Sequence, residues 1–207
     1  MDDSSSTPNH QDVISSINTN NIFEWTSPPE GVIKINVDAT FNLGYSAAAA
    51  VARDHNKNIV AVASTIQYQS KPQVAEAAAF LLATKLAQQM QFRNCIIEGD
   101  CQTVVEVLNG EKNVPWRILR MIQEIKNISQ SFRSVTYNFV KRKANSAAHN
   151  LASYAVKHSV QAIWTSSQIP PSIVSCLSEV HTSDYFFFRL FFFFCKTKEK
   201  SIAKKEN

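Results

Sequence analysis

Cysteine is scarce in this sequence, and its spacing excludes two common uses of the residue. The four cysteines form no C-x-x-C pair and accompany no histidine in a zinc-binding pattern: Cys95, Cys101, Cys176 and Cys195. A chain of 207 residues that is 44% hydrophobic can build an ordinary core without a disulfide framework. The sequence therefore predicts a protein of a reducing, intracellular compartment, either nucleus or cytoplasm.

Long apolar runs are also missing. No stretch reaches the roughly 18–20 residues that span a bilayer, and the phenylalanine-rich run at 185–195 is interrupted by Arg189. The acidic, polar residues 1–6 do not have the pattern of a signal peptide. The net charge of +4 is compatible with a polyanionic partner but too small to prove one. We therefore expect no membrane partner, and we expect a monomer.

Composition divides the chain into three parts. Residues 1–24 are rich in serine, asparagine and threonine without periodicity, which predicts a disordered segment. Residues 25–160 carry the periodic patterns of a folded domain. Residues 161–207 are predicted to be an irregular, low-complexity tail. Its run at 185–195 is interpreted as lying outside the folded unit, for instance because a faulty gene model reads past the true end of the gene. A membrane-surface anchor is the alternative for that run.

Hydrophobic periodicity predicts the order β-β-β-α-β-α-α-β-α. Apolar and polar residues alternate over 32–38, which predicts a strand that ends on Asp38 and has one buried face. Strands at 47–53 and 59–67 follow as an antiparallel meander. Ser70 and Gln73 have the spacing of a capping box for a helix that runs to about Met90. Later strands at 94–98 and 135–139 follow helices, so they should join parallel to the first strand through right-handed crossovers. The result is an α/β fold, a mixed sheet with helices on both faces.

The predicted arrangement of strands and helices brings three carboxylates together as candidate metal ligands. Asp38 and Asp100 close neighbouring parallel strands, so they should meet at one edge of the sheet, and Glu76 can join them from the helix. Three carboxylates at close range repel one another unless a proton or a cation intervenes. Oxygen ligands favour Mg²⁺ or Mn²⁺, and a pair of such ions can clamp a phosphodiester.

Each carboxylate also has an ordinary structural interpretation. Asp38 is acceptable as a turn residue. Glu76 near a helix start interacts favourably with the helix dipole. Asp100 is a suitable N-cap for the helix that follows it. The residues alone leave these alternatives open, and only their joint pattern favours a site.

Four motifs in order give the sequence a resemblance to a known family. They are KINVDA at 34–39, AEAAA at 75–79, EGDC at 98–101 and KANSAAHNLA at 143–152. The set resembles the type 1 ribonuclease H domain, in particular its plant branch related to non-LTR retroelements. The resemblance implies a ribonuclease H-like fold with a five-stranded mixed sheet of order 3-2-1-4-5. It also implies hydrolysis of the RNA strand of an RNA–DNA hybrid with two magnesium ions.

By position, Asp38, Glu76 and Asp100 match the first three metal-binding acids of that family. The fourth acidic position falls on His149, which can ligate a metal or move a proton but adds no negative charge. The resemblance then implies weaker binding of the second ion, with reduced activity or a preference for manganese. The alternative for His149 is a solvated residue on a helix face.

Nucleic-acid contacts are expected from two segments of the sequence, one just before Glu76 and one after the last predicted strand. Before Glu76, the side chains of Ser70 and Gln73 are placed to touch the minor groove, where 2′-hydroxyls mark RNA. Capping alone also accounts for this pair. After the last strand, the cationic loop is placed to hold phosphates, and an ordinary solvated loop is its alternative. Its predicted contact residues are Lys141, Arg142, Lys143 and Asn145. The sequence lacks a basic helical protrusion after Asp100, so binding to a long hybrid should be weak without a partner.

Three functions fit these observations. The first is a metal-dependent endonuclease for RNA–DNA hybrids. The second is a catalytically weak or inactive nucleic-acid-binding module domesticated from a retroelement, which His149, the small net charge and the missing protrusion favour. The third is an unexpressed fragment, which the phenylalanine-rich run suggests.

Overall fold

The computed structural model describes residues 24–42, 44–68 and 71–177 of the chain. Three strands come first, and helices and strands then alternate. The elements are β1 (Ile33–Asn42), β2 (Tyr45–Arg53), β3 (Ile59–Tyr68), α1 (Pro72–Gln89), β4 (Asn94–Gly99), α2 (Gln102–Leu108), α3 (Leu119–Ser129), β5 (Ser134–Phe139), α4 (Ser146–His158), β6 (Ala162–Thr165) and α5 (Pro171–Leu177). A short 3-10 turn, Arg142–Asn145, leads into α4.

The strands form one mixed sheet in the order β5-β4-β1-β2-β3-β6. β1 pairs antiparallel with β2 and parallel with β4, which in turn pairs parallel with β5. The predicted order 3-2-1-4-5 is therefore confirmed for the first five strands. The strand count needs correction, because β6 adds a sixth strand beside β3. β6 has only four residues, too few for an alternating pattern to stand out in the sequence.

Residues 162–177, which the sequence analysis assigned to an irregular tail, contain β6 and α5. The helix packs on α4, and two of its apolar side chains, Ile173 and Leu177, are buried there. The phenylalanine-rich run at 185–195 and the N-terminal residues 1–23 lie outside the described residues. Within the part of the chain that is described, no helix is long and apolar enough to cross a membrane.

Helices cover both faces of the sheet, as predicted. On one face, α1 packs across the strands, and α3 packs on α1. On the other face, α4 packs against the first three strands and is covered by α5. The alanines of β2 divide between the two cores: Ala48 and Ala50 face α1, whereas Ala49 faces α4. The small side chains on β2 let both helices approach the sheet closely.

β1 differs from its prediction in two ways. The strand continues to Asn42, so Asp38 lies within it rather than at its end. Its polar side is also buried: Lys34, Asn36 and Asp38 are at most 6% exposed. The reason is α4, which covers the face that the alternating pattern assigned to solvent.

The start of α1 also needs correction. Lys71 is the N-cap residue, and no side chain caps the helix. A capping box would require Ser70 at the N-cap, one residue earlier, and Ser70 lies outside the described residues. Pro72 begins the helix, where its missing N–H costs no intrahelical hydrogen bond.

Candidate active site

The pairing of β1 with β4 brings the first two carboxylates together. Gly99, the last residue of β4, lies opposite Val37 of β1 in a parallel register. The next residue on each strand is an aspartate, Asp38 on β1 and Asp100 after β4. The reasoning that parallel strands align their ends therefore gives the right neighbours, although β1 itself continues further. Cys101, not Asp100, is the N-cap of α2, and no side chain caps that helix.

Glu76 reaches the same place from α1. Close packing of α1 over the end of β4 makes this possible, because Gly99 has no side chain. A Cβ at Gly99 would lie 2.8 Å from Cζ of Phe80. Phe80 is one helical turn after Glu76, so the contact that seats Phe80 also places Glu76. Glu76 belongs to the second turn of the helix, and no acidic residue lies in the first turn to interact with the dipole.

The three carboxylates form one cluster. One oxygen atom from each of Asp38, Glu76 and Asp100 lies within 4.8 Å of the others. Burial, followed by the charges of Asp38 and Asp100, raises the pKa of Glu76 to about 8, although Arg142 opposes the shift. Burial and the charge of Asp100 likewise raise the pKa of Asp38 to about 6. Without a cation, the cluster therefore holds protons near neutral pH.

The cluster fits a hard divalent cation. Asp38 is fully buried, and its Oδ1 has no hydrogen-bond partner among the described residues. A buried carboxylate oxygen without a partner carries a large desolvation cost unless a ligand contacts it. Glu76 and Asp100 each place a carboxylate oxygen within 4.8 Å of an oxygen of Asp38, and such an all-oxygen set suits Mg²⁺ or Mn²⁺ better than zinc.

His149 and Arg142 close the other side of the cluster. His149, in the first turn of α4, places Nδ1 2.7 Å from Oδ2 of Asp38. The guanidinium of Arg142 contacts both neighbours: Nη1 donates to Oδ2 of Asp100 at 3.3 Å, and Nη2 lies 2.8 Å from Nδ1 of His149. His149 is thus part of the cluster rather than a residue on a solvated helix face. The carboxylates, the imidazole and the guanidinium form one connected polar site.

Asn145 holds α4 in place behind the site. It was predicted to contact nucleic acid, but it is fully buried and offers no surface to a ligand. Its Nδ2 donates to the carbonyl oxygen of Val37 at 2.7 Å, one residue before Asp38. Its Oδ1 accepts from Nδ2 of Asn36 at 3.3 Å. Asn145 therefore fixes the start of α4, and with it His149, against β1.

A buried polar network that the sequence analysis missed continues from Asn36. Nε1 of Trp25 donates to Oδ1 of Asn36 at 2.8 Å, and Lys34 forms a buried ion pair with Glu98 at 3.0 Å. The signal was present in the sequence, since Lys34, Asn36 and Asp38 alternate on one side of β1. That polar side of β1 is buried only because α4 packs over it.

Of the remaining residues predicted to contact nucleic acid, Ser70 lies outside the described residues, and the other three lie on or beside the elements that carry Glu76 and Arg142. Gln73, in the first turn of α1, is half-buried. Lys141 and Lys143 are exposed and flank Arg142 at the start of the 3-10 turn. Within the predicted cationic loop, Arg142 is the residue that the structure places in contact with Asp100 of the cluster.

Comparison with solved structures identifies the architecture. The N-terminal RNase H domain of a Mycobacterium tuberculosis protein, solved as a fusion with maltose-binding protein, has a TM-score of 0.58 and 21% identity, with coverage of 61% of this chain and 94% of that chain. RNase H1 from the archaeon Halobacterium salinarum has the same TM-score and identity, with coverage of 61% and 98%. LC11-RNase H1 from compost, solved in complex with an RNA/DNA hybrid, has a TM-score of 0.55 and 18% identity, with coverage of 62% and 97%.

Sequence comparison agrees with the fold. No curated protein matches the chain significantly. The reverse transcriptase-like family matches residues 36–155, which include the whole carboxylate cluster, His149 and most of the sheet. Because that match spans more than half of the sequence, the chain belongs to the reverse transcriptase-like family, and it has an RNase H-like fold.

Proposed function

We propose that the protein is a metal-dependent endonuclease that hydrolyses the RNA strand of RNA–DNA hybrids. The observation that carries this proposal is the convergence of Asp38, Glu76 and Asp100 within 4.8 Å, with Oδ1 of Asp38 buried and without a hydrogen-bond partner among the described residues. The fold supports it, since LC11-RNase H1, which is similar in structure, was solved in complex with an RNA/DNA hybrid. Membership of the plant non-LTR-retroelement branch stays a prediction.

The three carboxylates would hold Mg²⁺ or Mn²⁺, with two ions expected from the family resemblance. Bound there, the ions would activate water and stabilise the leaving oxygen of the phosphodiester. Asp38 is the central ligand of the proposed site, because it is the fully buried member of the three and its Oδ1 has no hydrogen-bond partner among the described residues.

The remaining residues of the site act on the substrate and on Asp38. His149 contacts Oδ2 of Asp38, which orients that carboxylate, and Oδ1, without a partner among the described residues, would remain available to a metal ion. Arg142 is 61% exposed at its side chain, so it can exchange its contact with Asp100 for a substrate phosphate. Lys141 and Lys143 extend the positive surface along which a polyanion would lie.

One observation favours a second function, that of a nucleic-acid-binding module without catalysis. The position expected to supply a fourth acid holds His149, and the Arg142 guanidinium adds positive charge beside it. This lowers the negative charge available to a second metal ion. A module of this kind would bind hybrid and leave it intact.

A cleavage assay on the full chain separates the two functions. Labelled RNA–DNA hybrid is incubated with Mg²⁺ or Mn²⁺ and with wild type, Asp38→Asn or His149→Asp. The nuclease predicts that wild type cleaves the RNA strand and that Asp38→Asn loses at least about 100-fold in rate, since a central metal ligand is gone. His149→Asp should cleave at lower metal concentration, because a fourth carboxylate strengthens the site.

Intact hybrid with every variant and both metals would overturn the nuclease proposal. If that hybrid is nevertheless bound, with an affinity that falls as salt rises, the binding module is the better description.

A further inference from the structure

Two exposed tyrosines form a pair at the end of the sheet. Tyr45 begins β2 and Tyr68 ends β3, and the two residues lie directly opposite each other. Their rings meet edge to face with centroids 5.0 Å apart. Tyr45 is 48% exposed and Tyr68 is 74% exposed. A preassembled aromatic pair that remains largely in solvent is an available contact surface rather than part of the core.

The strand register places this pair on the same face of the sheet as Asp38. Asp38 lies opposite Ala49, and Tyr45 is four residues before Ala49 on the same strand. Side chains four residues apart on a strand share a face and are separated by about 13 Å. Thr40, whose Oγ1 lies 3.4 Å from Oγ of Ser153, occupies the face between them. Ser153 belongs to α4, so this helix covers the face between Asp38 and the tyrosines, where Ala47 is fully buried. Tyr45, two residues before Ala47, is where the same face becomes exposed again.

The chemistry of the pair suits the flat faces of nucleobases. Bases stack on aromatic side chains with little dependence on sequence, because every base has a π-face. Bases inside a duplex already stack on their neighbours, so only unpaired nucleotides can use such a surface. Lys71, three residues after Tyr68, is exposed and adds positive charge that would attract the phosphates of an unpaired nucleic-acid strand.

We propose that Tyr45 and Tyr68 form a stacking surface for unpaired nucleotides that extend from the end of a hybrid held at the carboxylates. The proposal rests on the proposed function and adds a substrate class to it, a hybrid with a single-stranded extension. At about 3 Å per base pair, the separation of about 13 Å along the strands corresponds to four or five pairs.

Fluorescence anisotropy tests the proposal with the full chain. An Asp38→Asn background prevents cleavage, and two labelled hybrids are compared, one blunt and one with a single-stranded extension of about six nucleotides. Moderately high salt weakens phosphate contacts and makes stacking the larger contribution. We expect the extension to improve affinity about tenfold in chains that keep both tyrosines.

Variants at Tyr45 and Tyr68 test whether the two rings cause the preference for the hybrid with a single-stranded extension. Tyr45→Phe with Tyr68→Phe should keep the preference, because the rings remain, whereas Tyr45→Ala with Tyr68→Ala should abolish it. Tyr68→Ala alone, at the last residue of β3, is the milder variant if the double alanine variant does not fold, and it should reduce the preference several-fold. Ile163→Ala is the matched control, and it should keep the full preference. This exposed residue lies opposite Ala63 of β3, five residues before Tyr68, and therefore on the other face of the sheet.

Equal affinity for the two hybrids, or a preference that survives loss of both rings, overturns the proposal. A dimer in analytical ultracentrifugation that Tyr68→Ala disrupts also overturns it, since the pair would then contact a second copy. Cleavage of the blunt hybrid by wild type is measured separately. If the blunt hybrid is cleaved but the extension does not improve binding, only the proposal of a stacking surface is overturned. If the extension improves binding through the tyrosines but no hybrid is cleaved, only the nuclease proposal is overturned.

Discussion

At the scale of single residues, the site is governed by two carboxyl groups that hold protons unusually tightly. The pKa of Glu76 is raised from 4.5 to about 8 and that of Asp38 from 3.8 to about 6, in both cases mainly by burial. A raised pKa in the folded chain gives a stability contribution that is complete below the unfolded pKa and is lost as pH rises through the folded pKa. The metal-free protein should therefore lose stability as the pH rises from about 4 to about 8.

Competition between protons and metal gives a pH-dependent stabilisation. A divalent cation replaces the protons on Glu76 and Asp38, so Mg²⁺ should stabilise the fold more at pH 8 than at pH 6. In EDTA, we expect the Tm of wild type to be about 4 °C lower at pH 8 than at pH 6. With saturating Mg²⁺, most of that difference should disappear. Differential scanning calorimetry at the two pH values measures both effects.

Glu76→Gln provides the control, because glutamine keeps the shape of the side chain and cannot release a proton. In EDTA this variant should lose most of the fall in Tm between pH 6 and pH 8, and it should respond less to Mg²⁺. A wild-type Tm in EDTA that does not fall relative to that of Glu76→Gln would contradict the assignment of the raised pKa to this carboxyl group.

The identity of the carboxylates was readable from the sequence, whereas their surroundings were not. Asp38 and Asp100 follow from strand patterns, and Glu76 follows from its helix together with the family resemblance. The prediction that Asn145 contacts nucleic acid did not anticipate that this side chain is fully buried. Its burial depends on Asn36 and Val37, more than 100 positions earlier in the chain, and no local pattern encodes that contact.

At the scale of elements, the position of α1 over β4 decides where Glu76 lies. The bounds of both elements were predicted within a residue or two, since the hydrophobic periodicity that marks them is local. The close approach of α1 to β4 was not predicted. It depends on the absence of a side chain at Gly99, which lies against the ring of Phe80. A glycine at a strand end is equally compatible with an ordinary turn.

A methyl group at Gly99 should therefore separate the two elements. In Gly99→Ala, the new Cβ would lie 2.8 Å from Phe80 and 3.0 Å from Cγ2 of Val37, closer than packed carbon atoms approach. We expect a loss of about 1–3 kcal/mol in the free energy of unfolding. Urea denaturation measures that loss, and calorimetric titration should show weaker Mg²⁺ binding because Glu76 moves with the helix.

Phe80→Leu supplies the matched variant, because it removes the part of the ring that the methyl group meets. Alone, it should destabilise the core by about 1 kcal/mol or more, as expected for a large-to-small substitution. Combined with Gly99→Ala, it should cost less than the sum of the two single variants. Additive losses would show that Phe80 is not the obstacle and that the cause lies elsewhere.

At the scale of the whole molecule, the sequence indicated a sheet with helices on both faces but placed the end of the fold too early. Periodicity was sufficient for the five long strands and for α1, α3 and α4. It failed for β6 and α5, which have four and seven residues and are too short for a period to be recognised. Both are stabilised by partners far away in the sequence, since β6 pairs with β3 and α5 packs on α4.

The length of the folded unit can be tested by comparing chains that end at residue 160 and at residue 177. The shorter chain lacks β6, which leaves β3 unpaired at its outer edge, and it lacks α5, whose Ile173 and Leu177 are 2% and 4% exposed. Burial of two such side chains contributes about 3–6 kcal/mol, a large part of the roughly 5–15 kcal/mol that stabilises an ordinary domain. We therefore expect a much lower Tm by circular dichroism and faster amide exchange in β3. Ile173→Ala in the longer chain should reproduce part of the loss without altering the strand edge, and equal stability of the two chains would show that the fold ends at α4.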